Sequence, residues 1–494
     1  MRNPTTMLRL FISCIIGCQF PLTAQLLPDS LSTSSLKLRA LEDLMDMDIT
    51  IVSKRSERWF EAPAAVFVIS QDDIRRSGAR SIPEALRLAP SLNIAQVNSN
   101  QWAISTRGFT STTANKLLVL IDGRSVYTQL YSGVFWDVQD VVLHDVDRIE
   151  VISGPGGTLW GTNAVNGIIN IITKSSRETA GSPLLIEAGA GIRENFSFTA
   201  RSGGTFGGSG SHRTYLKYFE RDETKLERGG DPNDGWSGLQ GGFRIDHDLS
   251  PADALTIQGD AYRLKENQRT NITARMEGGN ILASWHHTVS DVSSLSLRSF
   301  FDYSHRRIPN TFSEDLGTFD IEFEHQMNIA QVHELNWGLG FRNSNDRVGN
   351  SAALAFLPPN LRTQEYNAFI QDAVSLGGGM KVTVGSKFSD NDFSGFEYQP
   401  RISFGWSLNK EQFLWASVTR AVRTPSRIDR DFYVPGTPPI GLRAVRDLCR
   451  RRFLLTRRDI APICSNIFLS MRRCITIHMM TFAAWKFSRI QRSC

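Results

Sequence analysis

Asp145-Val-Asp-Arg148-Ile-Glu-Val-Ile152-Ser-Gly154-Pro155-Gly156-Gly157-Thr-Leu-Trp160-Gly161-Thr-Asn-Ala-Val-Asn166-Gly-Ile168-Ile-Asn-Ile-Ile-Thr173-Lys174 holds two β-prone runs around a glycine-rich turn. Arg148 to Ile152 alternates polar and apolar, setting Ile149, Val151 and the turn-side Ser153 on one face. Ile168 to Thr173 is a β-branched run of the kind a buried strand needs. Between them the glycines supply the positive φ and close backbone approach that a compact turn demands. No catalytic chemistry is visible in this stretch.

Upstream, the same unit continues. Ala65 to Ile69 reads as a strand, Ser70 with Asp73 and Ser81 with Glu84 carry helix-capping spacing, and Gly78 sits where the first helix would end. Leu117 to Ile121 is an apolar strand closed by Asp122-Gly123, a turn signal. Residues 59–174 are therefore expected to form a compact α+β unit. Ala62-Pro63-Ala64-Ala65-Val66, Ser105 to Phe109, Val119 to Tyr127, Arg148 to Val151 and Asn166 to Lys174 resemble, in order, the plug domain of TonB-dependent outer-membrane receptors.

Downstream, residues 183–434 alternate strictly and are split by Gly, Asn, Asp and Ser. Ile402, Phe404, Trp406 and Leu408 oppose Arg401, Ser403, Gly405 and Ser407; Ile321 and Phe323 oppose Asp320, Glu322 and Glu324. Such an apolar face meets either a second sheet in a soluble sandwich or lipid around an outer-membrane barrel. Arg420 to Ser426 resembles a barrel segment of the same receptors, and with the plug it selects the barrel. The expected fold is an α+β plug domain followed by an antiparallel transmembrane β-barrel, incomplete at about 13 of roughly 22 strands.

The ends read differently. Residues 1–24 carry the pattern of a secretory signal peptide for Sec export: Arg2 and Arg9, an apolar core from Leu10 to Gly17, then Leu22-Thr23-Ala24. Ile15-Ile16-Gly17-Cys18 alternatively resembles a lipoprotein cleavage box. Residues 25–58 are expected to be a flexible leader. Within it Asp48-Ile49-Thr50-Ile51-Val52 resembles the TonB box, a segment that pairs as an added strand with the periplasmic energy-coupling protein TonB. The alternative is an ordinary first strand of the plug.

After Pro439 the alternation stops. Residues 440–494 carry 11 Arg and 1 Lys against 2 Asp, and four of the six cysteines, with no CxxC pair to support zinc. This aberrant basic tail is expected to be out-of-frame sequence. A barrel ending there exposes two strand edges, at a cost on the order of tens of kcal/mol per edge in hydrocarbon. The alternative product is a non-transporting relic, a periplasmic plug with an unclosed barrel.

Composition narrows the function. The net charge of +5 comes from the tail, so the first 439 residues are net negative and suit no nucleic-acid partner. No run of eighteen apolar residues marks a membrane helix. Gly156 to Gly161 lacks the P-loop lysine, and His333-Glu334 has no second His four positions on. No enzyme activity, cofactor or metal site is expected.

The resemblance implies a monomeric receptor in the Gram-negative outer membrane, in contact with outer-membrane lipid. It would take up a large scarce nutrient, such as a ferric siderophore, haem or cobalamin, when TonB pulls on residues 48–52. Arg107 and Arg124 are then expected to pair with barrel carboxylates, or else to solvate turns. Asn98, Trp102, Tyr131, Phe135 and Trp136 are expected at a plug apex facing a metal-chelate or cobalamin-like ligand, or else packed within the plug.

Overall fold

The computed structural model describes residues 48–227, 229–268, 272–409 and 412–435, and the backbone of 476–487. The expected signal peptide, the leader before Asp48 and most of the basic tail lie outside the described residues.

The described chain begins with a hairpin of β1 (Asp48–Ile49) and β2 (Glu57–Arg58). β3 (Val66–Ser70) runs into α1 (Gln71–Ser77), where Ser70 and Asp73 close a reciprocal capping box and Gly78, at φ 68°, ends the helix. α2 (Ile82–Ala85) lacks the expected second box. The Glu84 carboxylate accepts from the Arg80 N–H at 2.8 Å instead of the Ser81 N–H.

β4 (Asn93–Gln96) and β5 (Trp102–Ser105) form a second hairpin. β6 (Leu117–Ile121) and β7 (Arg124–Ser125) turn through Asp122-Gly123, both at positive φ. β8 (Val146–Ser153), α3 (Gly157–Trp160), β9 (Gly167–Thr173) and α4 (Ser176–Ala180) complete the plug. Its central sheet runs β3-β8-β9-β6-β7, antiparallel except for the parallel β6 and β9. A parallel strand is covered on both faces, which is what the β-branched run from Ile168 favours. Ile149, Val151, Ile169 and Ile171 are wholly buried with Ile69, Ile82 and Trp102.

A single antiparallel sheet follows in sequence order. Its first strands are β10 (Leu184–Gly189), β11 (Glu194–Phe206), β12 (Gly210–Arg221), β13 (Trp236–Asp248), β14 (Asp253–Gln268) and β15 (Ile272–Ser290). Next come β16 (Ser293–Ile308), β17 (Phe312–Ile329) and β18 (His333–Gly349), then, past the separate short β19 (Ala355–Phe356), β20 (Asn360–Gly377). β21 (Met380–Asn391), β22 (Gly395–Asn409) and β23 (Gln412–Val422) complete thirteen strands within residues 183–434, and α5 (Arg427–Arg430) and β24 (Phe432–Tyr433) cross beside β19.

Beyond these thirteen, β25 (Thr476–Phe487) pairs with β23 as a further strand of the sheet, satisfying an otherwise open row of N–H and C=O groups. Among the described residues β25 and β10 are the two ends of the sheet and are not paired to each other. The leader was expected to be flexible through residue 58. From Asp48 on it is folded: Ile49 and Ile51 are both 0 % exposed, and Glu150, Trp160 and Glu322 hold the segment through polar contacts.

The sheet turns its polar face to the plug. Along β17, Asp320 and Glu324 are buried against it while Phe319 is exposed on the opposite face. The longest connections, residues 222–235 and 350–359, lie at one end, and β13–β14, β15–β16, β17–β18 and β20–β21 are joined by short turns at the other.

Candidate functional site

Residues 49–55 are docked by a few strong polar contacts. Glu150 on β8, 0 % exposed, accepts the backbone N–H groups of Thr50 at 3.3 Å and Ile51 at 3.1 Å. The same carboxylate takes Arg148 Nε at 2.9 Å and Asn170 Nδ2 at 3.4 Å. Trp160 Nε1 donates to the Ile51 carbonyl at 2.6 Å. The Lys54 ammonium pairs with Glu322 and Glu324 of β17 and lies over the rings of Trp160 and Phe369. Arg55 donates to the Met327 and Leu335 carbonyls at 3.2 and 2.6 Å, near the short β17–β18 turn.

The N–H groups of Thr50 and Ile51, which an added strand would need, are thus already occupied. They are held by a side chain rather than by a sheet ladder, so a competing strand has few bonds to replace. Beside them, burial pushes the Glu57 carboxyl up to about 7, against the lowering influence of Ser53, Lys381 and Arg401.

The seam between plug and barrel is ionic. Arg124 is buried and pairs with Asp302 of β16. Arg107, at φ 57°, donates to the Ser153 carbonyl at 3.0 Å inside the plug. Three plug aspartates pair with the opposite polarity, onto barrel cations. Asp137 meets Arg306 at 2.7 Å, Asp140 meets Lys217 at 2.7 Å, and Asp145 meets Arg201 at 2.6 Å and Arg213 at 3.4 Å. Gly157 brings α3 against the wall; a Cβ there would lie 2.2 Å from Gln399 Oε1.

The proposed apex divides. Asn98 Oδ1 accepts the N–H groups of Asn100 and Gln101 at 3.0 and 2.6 Å, a turn that presents Ser99 to Asp234 and Asp222 in the long loop 222–235. Trp102 is corrected from a ligand-facing to a core residue, 5 % exposed within the plug. Tyr131 is likewise buried: it packs edge-on against Phe135 at 5.0 Å and joins a cluster with Val348 and Phe356 of the barrel. Phe135 is half-buried under the Arg306 guanidinium, and Trp136 is half-buried against the plug core. Large rings gain most from leaving water, and close walls were available on both sides.

Sequence reasoning missed Lys54, Glu150, Trp160 and the three aspartates. The only signal for the last was their spacing, Asp137, Asp140 and Asp145, opposite strands that place Arg201, Arg213 and Lys217 on one face. A partly open cleft between plug and wall is bordered by Tyr127, Trp160, Arg298, Glu322, Arg342 and Lys387.

Comparison with known proteins agrees with this architecture. The family described as "TonB-dependent Receptor Plug Domain" matches residues 59–168, and "TonB dependent receptor-like, beta-barrel" matches 184–445. The Vitamin B12 transporter BtuB of Vibrio vulnificus is 31% identical over 173 residues, covering 34% of this chain and 28% of the relative. The Ferrienterobactin receptor of Escherichia coli is 24% identical over 473 residues, covering 77% and 62%. An iron-regulated outer membrane virulence protein of Vibrio cholerae is 23% identical over 399 residues, covering 74% and 58%. This chain therefore spans less than two thirds of the length of these relatives.

Among solved structures, a ferric enterobactin receptor (PfeA) mutant from Pseudomonas aeruginosa bound to enterobactin superposes with a TM-score of 0.62 at 17% identity, covering 75% of this chain and 64% of its own. The siderophore receptor PirA of the same organism gives 0.57 at 19%, covering 74% and 63%. At such identities the likeness is one of fold. With a plug seated on the polar face of an antiparallel sheet and both family matches in place, the chain belongs to the TonB-dependent receptors.

Proposed function

We propose that this chain serves energised uptake of a large metal chelate or a cobalamin across the Gram-negative outer membrane, after export through the Sec route. Residues 48–52 are the handle that TonB grasps from the periplasm. The short-turn end, where Arg55 docks, is then the periplasmic side, because barrels of this kind keep their short turns there. The relatives' names, a vitamin B12 transporter and a ferrienterobactin receptor, supply the two ligand classes to try first.

The observation that carries the reading is the parked state of Thr50 and Ile51, whose N–H groups end on Glu150 alone. Pulling on that segment would first break Glu150 and Lys54 contacts, then load the ionic seam, and only last the apolar plug core.

Cells expressing the chain are to be given labelled ferric enterobactin or cobalamin. Ile49→Pro should abolish uptake and capture of the chain by TonB's periplasmic domain, while surface binding of the ligand persists, since proline removes a donor from the added strand. Unchanged uptake in that variant would refute the handle. Absence of uptake in the unmodified chain would refute transport.

A further inference from the structure

Beneath the docked leader the wall is built of short side chains. Cross-strand register sets Ala373, Thr383 and Ser403 in one row and Ser375, Lys381 and Gly405 in the next, on the inward face of β20, β21 and β22. Apart from Lys381 these reach too little to fill the space under residues 52–63, and a partly open cavity of ≈ 380 Å³ remains. Small organic molecules are held in cavities of this order. Gly377 and Gly379 of the β20–β21 turn border it, which puts it at the short-turn end, opposite the long connections.

The lining balances its charges, with Arg55, Lys381 and Arg401 against Glu57, Glu61 and Glu334. It does not balance its hydrogen bonds. Glu334 and Lys381 meet at 2.8 Å. Arg401 Nη2 donates to the Pro63 carbonyl at 2.9 Å, but its Nε is buried with no partner among the described residues. Glu57 Oε1 and Ser403 Oγ stand in the same position, Ser403 being 2% exposed. Glu57 and Arg401 act on each other's charge, yet no ion pair joins them among the described residues.

These three atoms set the chemistry of what fits. Arg401 Nε and the Ser403 hydroxyl both donate, and one carboxylate can accept from both. Glu57 Oε1 accepts and, when ionised, favours a cation. Met380 and Phe413 add apolar surface, with Phe413 braced by Phe60 at 6.3 Å between ring centres. An inorganic ion answers one sign only. A wholly apolar molecule would leave all three atoms buried and unpartnered, which is costly.

We infer that the cavity binds a small zwitterion of the α-amino-acid class, with its carboxylate on Arg401 and Ser403, its ammonium on Glu57 and an apolar side chain against Met380 and Phe413. Glu57 belongs to the leader, and Arg401 and Ser403 belong to the wall, so the bound molecule ties one to the other. A ligand that needs both groups binds the docked leader more tightly than the released one, and therefore favours docking. Such a zwitterion, arriving from the short-turn side, restrains the handle. The site stands without TonB; the restraint on uptake rests on the proposed function.

The test is equilibrium dialysis of the full chain, in detergent micelles at pH 8, against labelled phenylalanine, with phenethylamine and hydrocinnamate as single-charge competitors. At that pH the Glu57 carboxyl is mostly ionised. Phenylalanine should fill one saturable site and bind at least about 10-fold tighter than either competitor. Glu57→Gln should weaken phenylalanine and phenethylamine by about 10-fold or more and spare hydrocinnamate. Arg401→Gln should weaken phenylalanine and hydrocinnamate and spare phenethylamine, so each variant carries its own proof that the cavity is folded. At ten times its dissociation constant, phenylalanine should slow tryptic cleavage after Lys54 and Arg55 by about 10-fold.

No saturable binding of phenylalanine, equal affinity for the three molecules, or binding indifferent to both variants would overturn the site. Binding that leaves the cleavage rate unchanged would overturn the tie between leader and wall. Phenylalanine binding by a chain that TonB's periplasmic domain never captures would leave the site standing and remove the coupling reading alone.

Discussion

Strand β8 faces two kinds of environment, and the contrast explains how a plug can be firm and yet removable. Ile149 and Val151 point into the core, where they are wholly buried among other aliphatic side chains. Between them Glu150 points the opposite way, into the leader and the seam, with N–H groups as its partners. Each core side chain contributes about 1.5–3 kcal/mol of burial, and these contributions vanish together when the sheet opens. Each seam contact is worth about 0.5–3 kcal/mol and exchanges its partner for water when broken, so seam contacts can be undone singly. A pull applied near Lys54 therefore meets the weaker, divisible set first.

The sharpest challenge to that contrast is Ile149→Ala. It should cost the plug about 2–5 kcal/mol, read by denaturant unfolding; a loss below about 1 kcal/mol would mean the core is no firmer than the seam.

Next in size is Glu150→Gln, which preserves shape but removes the charge that holds Thr50, Ile51 and Arg148. Tryptic cleavage after Lys54 and Arg55 should quicken by about 5- to 100-fold while plug unfolding changes much less, since charged hydrogen bonds are worth about 1.5–3 kcal/mol. Unchanged cleavage would show that Glu150 does not hold the leader.

The smallest effect is a pH dependence. Glu57 titrates near 7 when docked and near its ordinary 4.5 when released, so the docked leader holds the extra proton between those values. Docking should be strongest below pH 4.5, weaken as pH rises toward 7, and be flat above it. The total is about 2 kcal/mol, because solvent screens part of the shift at a half-buried group. Hydrogen exchange at Thr50 and Ile51, corrected for intrinsic rates, would measure this. The slope should vanish in Glu57→Gln, and a slope of opposite sign would exclude the carboxyl as its source.

Much of the fold was legible because its causes are local. The Ser70 and Asp73 capping box, the Gly78 helix end and the Asp122-Gly123 turn each depend on a few adjacent residues, and each forms as its spacing implies. Ser81 failed for an equally local reason, the Glu84 carboxylate accepting from the Arg80 N–H instead. Alternation from residue 183 onward separated the faces of thirteen strands, because side-chain direction has a period of two. The aromatic residues were harder to read. Trp102 and Tyr131 have the composition of a ligand platform, but composition does not say whether the wall facing a ring is solvent or another side chain.

Order, period and sidedness were thus determined by the sequence alone: a plug first, then strands with charge inward and apolar side chains outward. The tertiary structure decided who meets whom. Glu150 finds Thr50 across 100 residues, and Lys54 finds Glu322 across 268. Strand register and the seating of the plug bring these charges together, and neither depends on residues near them in the chain. A carboxylate placed elsewhere on the same polar face would carry the same sequence pattern. Only the packed molecule distinguishes the one that receives the leader from those that face the lumen.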